Sequence, residues 1–159
     1  MTIRPILRWP DPRLATRCKP AAVEDGTLTL AHDMLETMYA AQGRGLAAPQ
    51  VGALIRIFVM DSTWKSGPET PEIFINPEIL WRSDDLVTGP EACLSIKGVL
   101  AEISRAKEMI LRWTLPDGSL SAERLKGFRA ICAQHEIDHL DGILMFHHLT
   151  PEEIGRAHV

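Results

Sequence analysis

The sequence predicts an α+β fold: mixed, mainly antiparallel sheets packed around a central C-terminal helix that carries an HExxH motif. Three observations predict it. An amphipathic helical pattern occupies residues 27–42, and several short runs rich in β-formers follow it. From about Glu123 to Leu140 the pattern turns helical again. The order helix, strands, helix suits a sheet packed against one main C-terminal helix. A length of 159 residues suits one domain, 1–159, able to bury its own core.

Residues 1–25 are irregular and proline-rich (Pro5, Pro10, Pro12, Pro20) and are expected to wrap the surface. The first helix carries Leu30, Met34, Leu35 and Met38 at helical spacing, with Asp25 or Thr27 as its cap and Gly43 as its stop. Ile55–Met60 reads as a strand, and residues 62–71 as an exposed loop. Ile73–Ile75, Glu78–Trp81 and Met109–Leu115 are further strands, and Pro116-Asp117-Gly118 marks a hairpin turn. Gly142 is placed to stop the last helix.

Composition narrows the function. The chain is 45% hydrophobic and 24% charged, with net charge −4. Lys and Arg are outnumbered and unclustered, so no nucleic-acid surface is expected. The odd count of three well-spaced cysteines (Cys18, Cys93, Cys132) argues against a disulfide framework and for a reducing compartment. With no apolar segment of signal-peptide or membrane-span length, the expected location is cytoplasmic.

The sharpest signal is His135-Glu136-Ile137-Asp138-His139. On a helix, positions i and i+4 share a face, so both imidazoles can meet one cation. Glu136 lies one residue round and can reach a water on that ion, whose pKa the ion lowers towards neutrality. Two such histidines can also be plain surface residues. Here, however, Leu125, Phe128, Cys132, His135 and His139 form one helical stripe, so the pair continues the buried side. Buried imidazoles without a partner would be costly.

A catalytic site needs a third ligand and an open position. Six residues after His139 stands Met145, which excludes the pattern with a third histidine there, and no second helix fits beyond Glu152 and Glu153. His32, His147 and His148 read as polar surface residues. Cys93, in Gly89-Pro90-Glu91-Ala92-Cys93-Leu94-Ser95, is the better third ligand. Taken alone, a free cysteine reads as a small buried hydrophobe; its neighbourhood raises it above that. Gly43-Arg44-Gly45-Leu46-Ala47-Ala48-Pro49-Gln50-Val51-Gly52 lets a backbone come close, and Gln50 offers a neutral donor to an oxyanion. It lacks the Lys-Ser/Thr of a phosphate loop.

Together these segments resemble the three motifs of the peptide deformylase family: Gly43–Gln50, Glu91–Ser95 and Gln134–Gly142, in the family's order and spacing. Asp11-Pro12-Arg13-Leu14 resembles the family's N-terminus, so the likeness covers nearly the whole chain. It implies removal of the N-formyl group from the initiator methionine of new polypeptides, with release of formate. It implies Cys93, His135 and His139 as ligands of one divalent ion, iron(II) by preference, with zinc, nickel or cobalt able to substitute. Glu136 would shuttle the proton, and Gln50 with the Leu94 N–H would hold the oxyanion. The backbone around Gly45 would pair with the peptide, and Phe128, Ile131 and Cys132 would line the methionine pocket. The nascent formylmethionyl chain is the implied partner, with transient ribosome contact.

Four departures bear on this resemblance. Ala92 and Arg44 stand where the family usually has glycine and an aliphatic residue. Leu100 stands near where many members carry an arginine, and little follows Pro151. The first two motivate an alternative: a deformylase-like paralogue that binds metal or peptide but turns over poorly. Arg44 borders the expected cleft and could favour an acidic group on the peptide.

Overall fold

The computed structural model describes residues 2–156; Met1 and residues 157–159, the ends of the expected 1–159 domain, lie outside the described residues. Helix α1 spans Asp25–Ala40 and is followed by a three-residue strand, β1 (Gly45–Ala47). Strands β2 (Ile57–Met60), β3 (Glu72–Arg82), β4 (Leu86–Cys93), β5 (Ile96–Ala106), β6 (Glu108–Thr114) and β7 (Leu120–Lys126) lead to α2 (Gly127–Leu140) and the short α3 (Pro151–Arg156). Five strands form an antiparallel sheet in the order β1-β2-β3-β6-β7, and β4 and β5 form a separate antiparallel ribbon.

Side-chain alternation on β2 explains how the layers assemble. Successive strand residues point to opposite faces. Phe58 and Met60 join a cluster with Ala130, Ala133, Ile137 and Leu140 of α2. Ile57 and Val59 join a second cluster with Leu30, Met34 and Met38 of α1. All four β2 residues are buried, so this strand is the shared floor of two cores. A third cluster holds Cys93 against Ile96, Val99, Ala101 and Ile103 of the ribbon and Leu14, Leu144 and Met145. Helix α2 thus lies with the large sheet on one side and the ribbon close by, and the α+β prediction holds.

Several boundaries differ from the sequence reading. The first helix begins at Asp25 after Glu24, which makes no side-chain cap bond, and ends before Ala41. Its exit is taken by Gln42 at φ 60°, not by Gly43, whose N–H reaches back to the Met38 carbonyl. The Ile55–Met60 strand starts at Ile57. Ile73–Ile75 and Glu78–Trp81 are one strand interrupted by a bulge, where Asn76 adopts φ 50° and Pro77 has no N–H to give to the ladder. Strands β4 and β5 were not anticipated, because Gly89, Pro90 and an alternating exposed face dilute their apolar signal.

The helix expected from Glu123 starts only at Gly127. Residues 120–126 pair with β6 as the second arm of the hairpin turned by Pro116-Asp117-Gly118. Leu125 therefore sits on a strand, yet it still packs into the α2 cluster, which is why it mimicked a helical stripe. Gly127, at φ 58°, makes the switch from strand to helix. At the other end the stop is as expected. Gly142 adopts φ 74°, its N–H bonds the His139 carbonyl, and the Ile143 N–H bonds the Asp138 carbonyl. A Cβ on Gly142 would lie 2.9 Å from the Ala15 carbonyl carbon and oxygen. Gly142→Ala combines a left-handed backbone with that clash. It should destabilise by about 2–3 kcal/mol, read as a lower midpoint in a thermal melt; an unchanged midpoint would refute the close approach.

Candidate metal centre

Cys93 ends β4 at a tight turn, paired with Ile96 across it. This turn carries its sulfur to the face of α2 that displays His135 and His139. The three ligating atoms lie within 4.8 Å of one another. The Cys93 Sγ is 3.3 Å from His139 Nε2, and the two imidazoles meet edge to face at 5.0 Å. Cys93 and His139 are buried, and the His135 side chain keeps 11% exposure.

Burial alone would raise the Cys93 thiol pKa, but the facing His139 and His135 hold it well below the ordinary range. His135 moves the opposite way: burial lowers it, while Glu136, Cys93 and Glu91 raise it well above its usual value. The two imidazoles thereby favour the thiolate, the form that ligates metals. The Nδ1 of His139 is buried without a hydrogen-bond partner, so packing and whatever its Nε2 faces set that ring. A thiolate and two imidazoles at this separation suit a borderline divalent cation such as zinc or iron(II).

Behind these ligands stands a buried ion network that sequence reading missed. Glu91 Oε1 lies 2.9 Å from His135 Nδ1, a carboxylate contact of the kind that fixes the orientation of a ligating ring. Arg105 grips Glu91 through both oxygens, at 2.7 and 2.9 Å, and reaches Asp138 of α2 at 2.8 Å. His148 adds a contact to the same Asp138 oxygen at 2.7 Å. Burial opposes ionisation of Glu91, but the bonds from His135 and Arg105 overcome it and hold its pKa at about 2. Glu91 sits two residues before Cys93 on a strand that the sequence did not announce, with an irregular register between the two. Nothing near Arg105 in the sequence announces its partners.

Glu136 is buried beside this cluster, with its Oε1 unpartnered, and its pKa is raised, chiefly by burial. Gly45 explains how it fits: a Cβ there would sit 2.5 Å from Glu136 Oε2 and 2.6 Å from Cys132 Sγ. The Gln50 side chain is oriented by its own loop. Its Oε1 accepts from the Ala47 N–H at 2.9 Å, which turns the Nε2 donor towards Ser95 Oγ (3.0 Å) and Cys93 Sγ (3.7 Å).

A cavity of about 480 Å³ opens over these groups. Its lining brings together every residue given a catalytic, ligand or substrate role from the sequence except His139, which lies buried behind: Gln50, Cys93, Leu94, His135 and Glu136, with Arg44, Gly45, Phe128, Ile131 and Cys132. Leu100 is elsewhere, half exposed beside a second cavity. Among the described residues the non-glycine positions with positive φ are Gln42 and Asn76, so Ala92, on β4, stands in place of the family's glycine without left-handed backbone strain.

The family model for polypeptide deformylase matches residues 3–154. This chain belongs to the polypeptide deformylase family. It is 44% identical over 151 residues to the peptide deformylase of Agrobacterium fabrum, covering 94% of this chain and 89% of that one. It is 47% identical to that of Alkalilimnicola ehrlichii, again over 94% of this chain and 84% of the relative. The crystal structure of peptide deformylase from Thermotoga maritima superposes with a TM-score of 0.89 at 36% identity, over 95% of this chain and all of that one. The match to this metallohydrolase family spans both sheets, α2 and the converging cysteine and histidines. Glu91→Gln removes the charge that orients His135 and pairs Arg105. Metal affinity should fall by about 10–100-fold in a chelator competition, whereas wild-type retention would show that the network plays no part in holding the ion.

Proposed function

We propose that this chain is an active peptide deformylase, which hydrolyses the formyl amide on the initiator methionine of newly made polypeptides and releases formate. The observation that carries the proposal is the convergence of a buried cysteine and two histidines beside Glu136 and Gln50 at the floor of one cavity, with only His139 buried behind its lining, in a chain of this family.

Cys93, His135 and His139 would hold one divalent ion, iron(II) by preference, with zinc, nickel or cobalt as substitutes; one thiolate and two imidazoles accept all four. A bound ion supplies Lewis acidity and makes water acidic enough to act as a nucleophile near neutral pH. Glu136, buried and raised in pKa, is suited to take a proton from the attacking water and return it to the leaving amine. Gln50 Nε2 and the Leu94 N–H donate to the formyl oxygen as it gains charge, without bringing a competing charge. Phe128, Ile131 and Cys132 form an apolar wall for the methionine side chain. Gly45 gives its backbone to the peptide on the open edge of β1.

We read 1–159 as a single catalytic domain that acts in the cytoplasm, with transient access to the ribosome. All three cysteines are free, and no helix among the described residues is long and apolar enough to cross a membrane.

Formate release from a formyl-Met peptide by anaerobically purified protein tests the reaction, and elemental analysis of the same sample identifies the ion. Glu136→Ala should keep its metal and lose rate by roughly 10²–10⁴-fold; an unchanged kcat would remove Glu136 from the mechanism. Cys93→Ser replaces the soft ligand and should lower the bound metal per chain, so full occupancy in that variant would exclude the sulfur as a ligand.

A further inference from the structure

The edge of β1 that faces the cavity is open over a single residue. The Asp61 N–H donates to the Arg44 carbonyl at 2.9 Å, and β1 pairs with β2 in the register Gly45↔Met60. Arg44 and Asp61 are therefore a hydrogen-bonded pair and Gly45 and Met60 are not, so the N–H and C=O of Gly45 point away from β2. On both sides of Gly45 the outward groups are already taken. The Ala47 N–H is held by Gln50 Oε1 at 2.9 Å, and the Gly43 carbonyl accepts from Trp64 Nε1 at 3.0 Å. A peptide laid along β1 can pair with Gly45 and then meets an indole.

Trp64 is firmly placed, although its loop reads as exposed and irregular in the sequence. The fully buried Asp61 accepts from the N–H groups of Thr63 (3.0 Å), Trp64 (3.2 Å) and Thr70 (2.9 Å) and from the Tyr39 hydroxyl. The Trp64 ring also packs edge-on against Tyr39 at 5.3 Å. The anchored loop brings Lys65 to the cavity rim, where Arg44 lies with its guanidinium stacked on Phe128 at 3.9 Å. Stacking orders the guanidinium and leaves its edge N–H donors free. Neither cation is in an ion pair among the described residues. Both carboxylates that line the cavity are committed elsewhere: Glu91 to Arg105 and His135, and Glu136 deep beside Gly45. On a chain of net charge −4, the entrance is locally positive.

We infer that beyond the first residue the β1 side of this site reads a carboxylate. Its favoured substrates are formylmethionyl peptides with an anionic group at the second or third residue, taken by Arg44 and Lys65. That group is either an Asp or Glu side chain or the terminal carboxylate of a short formyl peptide. The inference rests on the deformylase reading and deepens it.

The test is formate release by the metal-loaded enzyme from matched peptides. Formyl-Met-Ala-Ser amide is the neutral reference. Formyl-Met-Glu-Ser amide and formyl-Met-Ala-Glu amide carry the side-chain charge. Formyl-Met-Ala as free acid and as amide isolates the terminal charge. The anionic member should win in kcat/KM by roughly three- to tenfold, and the advantage should shrink as salt screens it. In the Arg44→Met, Lys65→Met double variant the ratio of anionic to neutral should fall to near one. An advantage in the tripeptides alone assigns the site to acidic side chains, and an advantage in the dipeptide acid alone assigns it to chain ends. Equal rates for charged and neutral peptides would overturn the inference and leave the deformylase reading standing. So would a preference that survives in the double variant. If none of the peptides loses formate, the deformylase reading itself falls, and the inference falls with it.

Discussion

The site depends on Arg105. This guanidinium, with a side chain only 4% exposed, ties Glu91 on β4 to Asp138 on α2. The ribbon and the helix belong to different layers, and Cys93 belongs to one while both histidines belong to the other. The ion network crosses the boundary between them two residues from Cys93 and one from His139. Such an arrangement is not an efficient source of net stability, because desolvation offsets most of the attraction. Its value is geometric. An Arg105 without its carboxylates would leave a buried charge at a penalty of about 3–5 kcal/mol, so the layers settle in the one register that satisfies it. That register brings a sulfur to 3.3 Å from an imidazole.

The remaining groups are held by simpler means. Glu136 occupies space left free by the missing side chain of Gly45. Gln50 is turned by a hydrogen bond within its own loop. The Gly43 carbonyl is capped by a tryptophan whose loop is gathered around a buried aspartate. Each group is fixed by a partner other than the substrate, so little reorganisation remains when a substrate binds. The cavity combines an apolar wall at Phe128, Ile131 and Cys132 with polar groups at one end. It can therefore take an apolar side chain and present the adjoining amide to those groups.

Legibility in the sequence followed the range of the interactions. The histidine pair and Glu136 were legible because helical periodicity sets their relative positions within a few residues. The Gly142 stop was legible for the same reason: a Schellman exit spans six residues and needs a left-handed backbone. Strands β4 and β5 were not legible, since a ribbon with one wet face and glycine and proline within it carries little apolar signal. The start of α2 was misjudged because Leu125 packs into the helix's core cluster from a neighbouring strand. Burial at a helical interval is not helix.

The sequence by itself determined the chemistry: which residues bear a thiol, two imidazoles and a carboxylate, that the imidazoles share a helical face, and which family those motifs resemble. Only the tertiary structure decided what surrounds them: that Glu91 and Arg105 back His135, that Trp64 closes the strand edge after Gly45, and that Arg44 rests on Phe128. Each of those contacts joins residues from 14 to 84 positions apart, as the pairs Glu91–Arg105 and Arg44–Phe128 illustrate. Periodicity ties a residue to its neighbours within about two turns of helix or a few strand positions. Contacts across layers depend on how whole elements pack, and that information is spread over the entire chain.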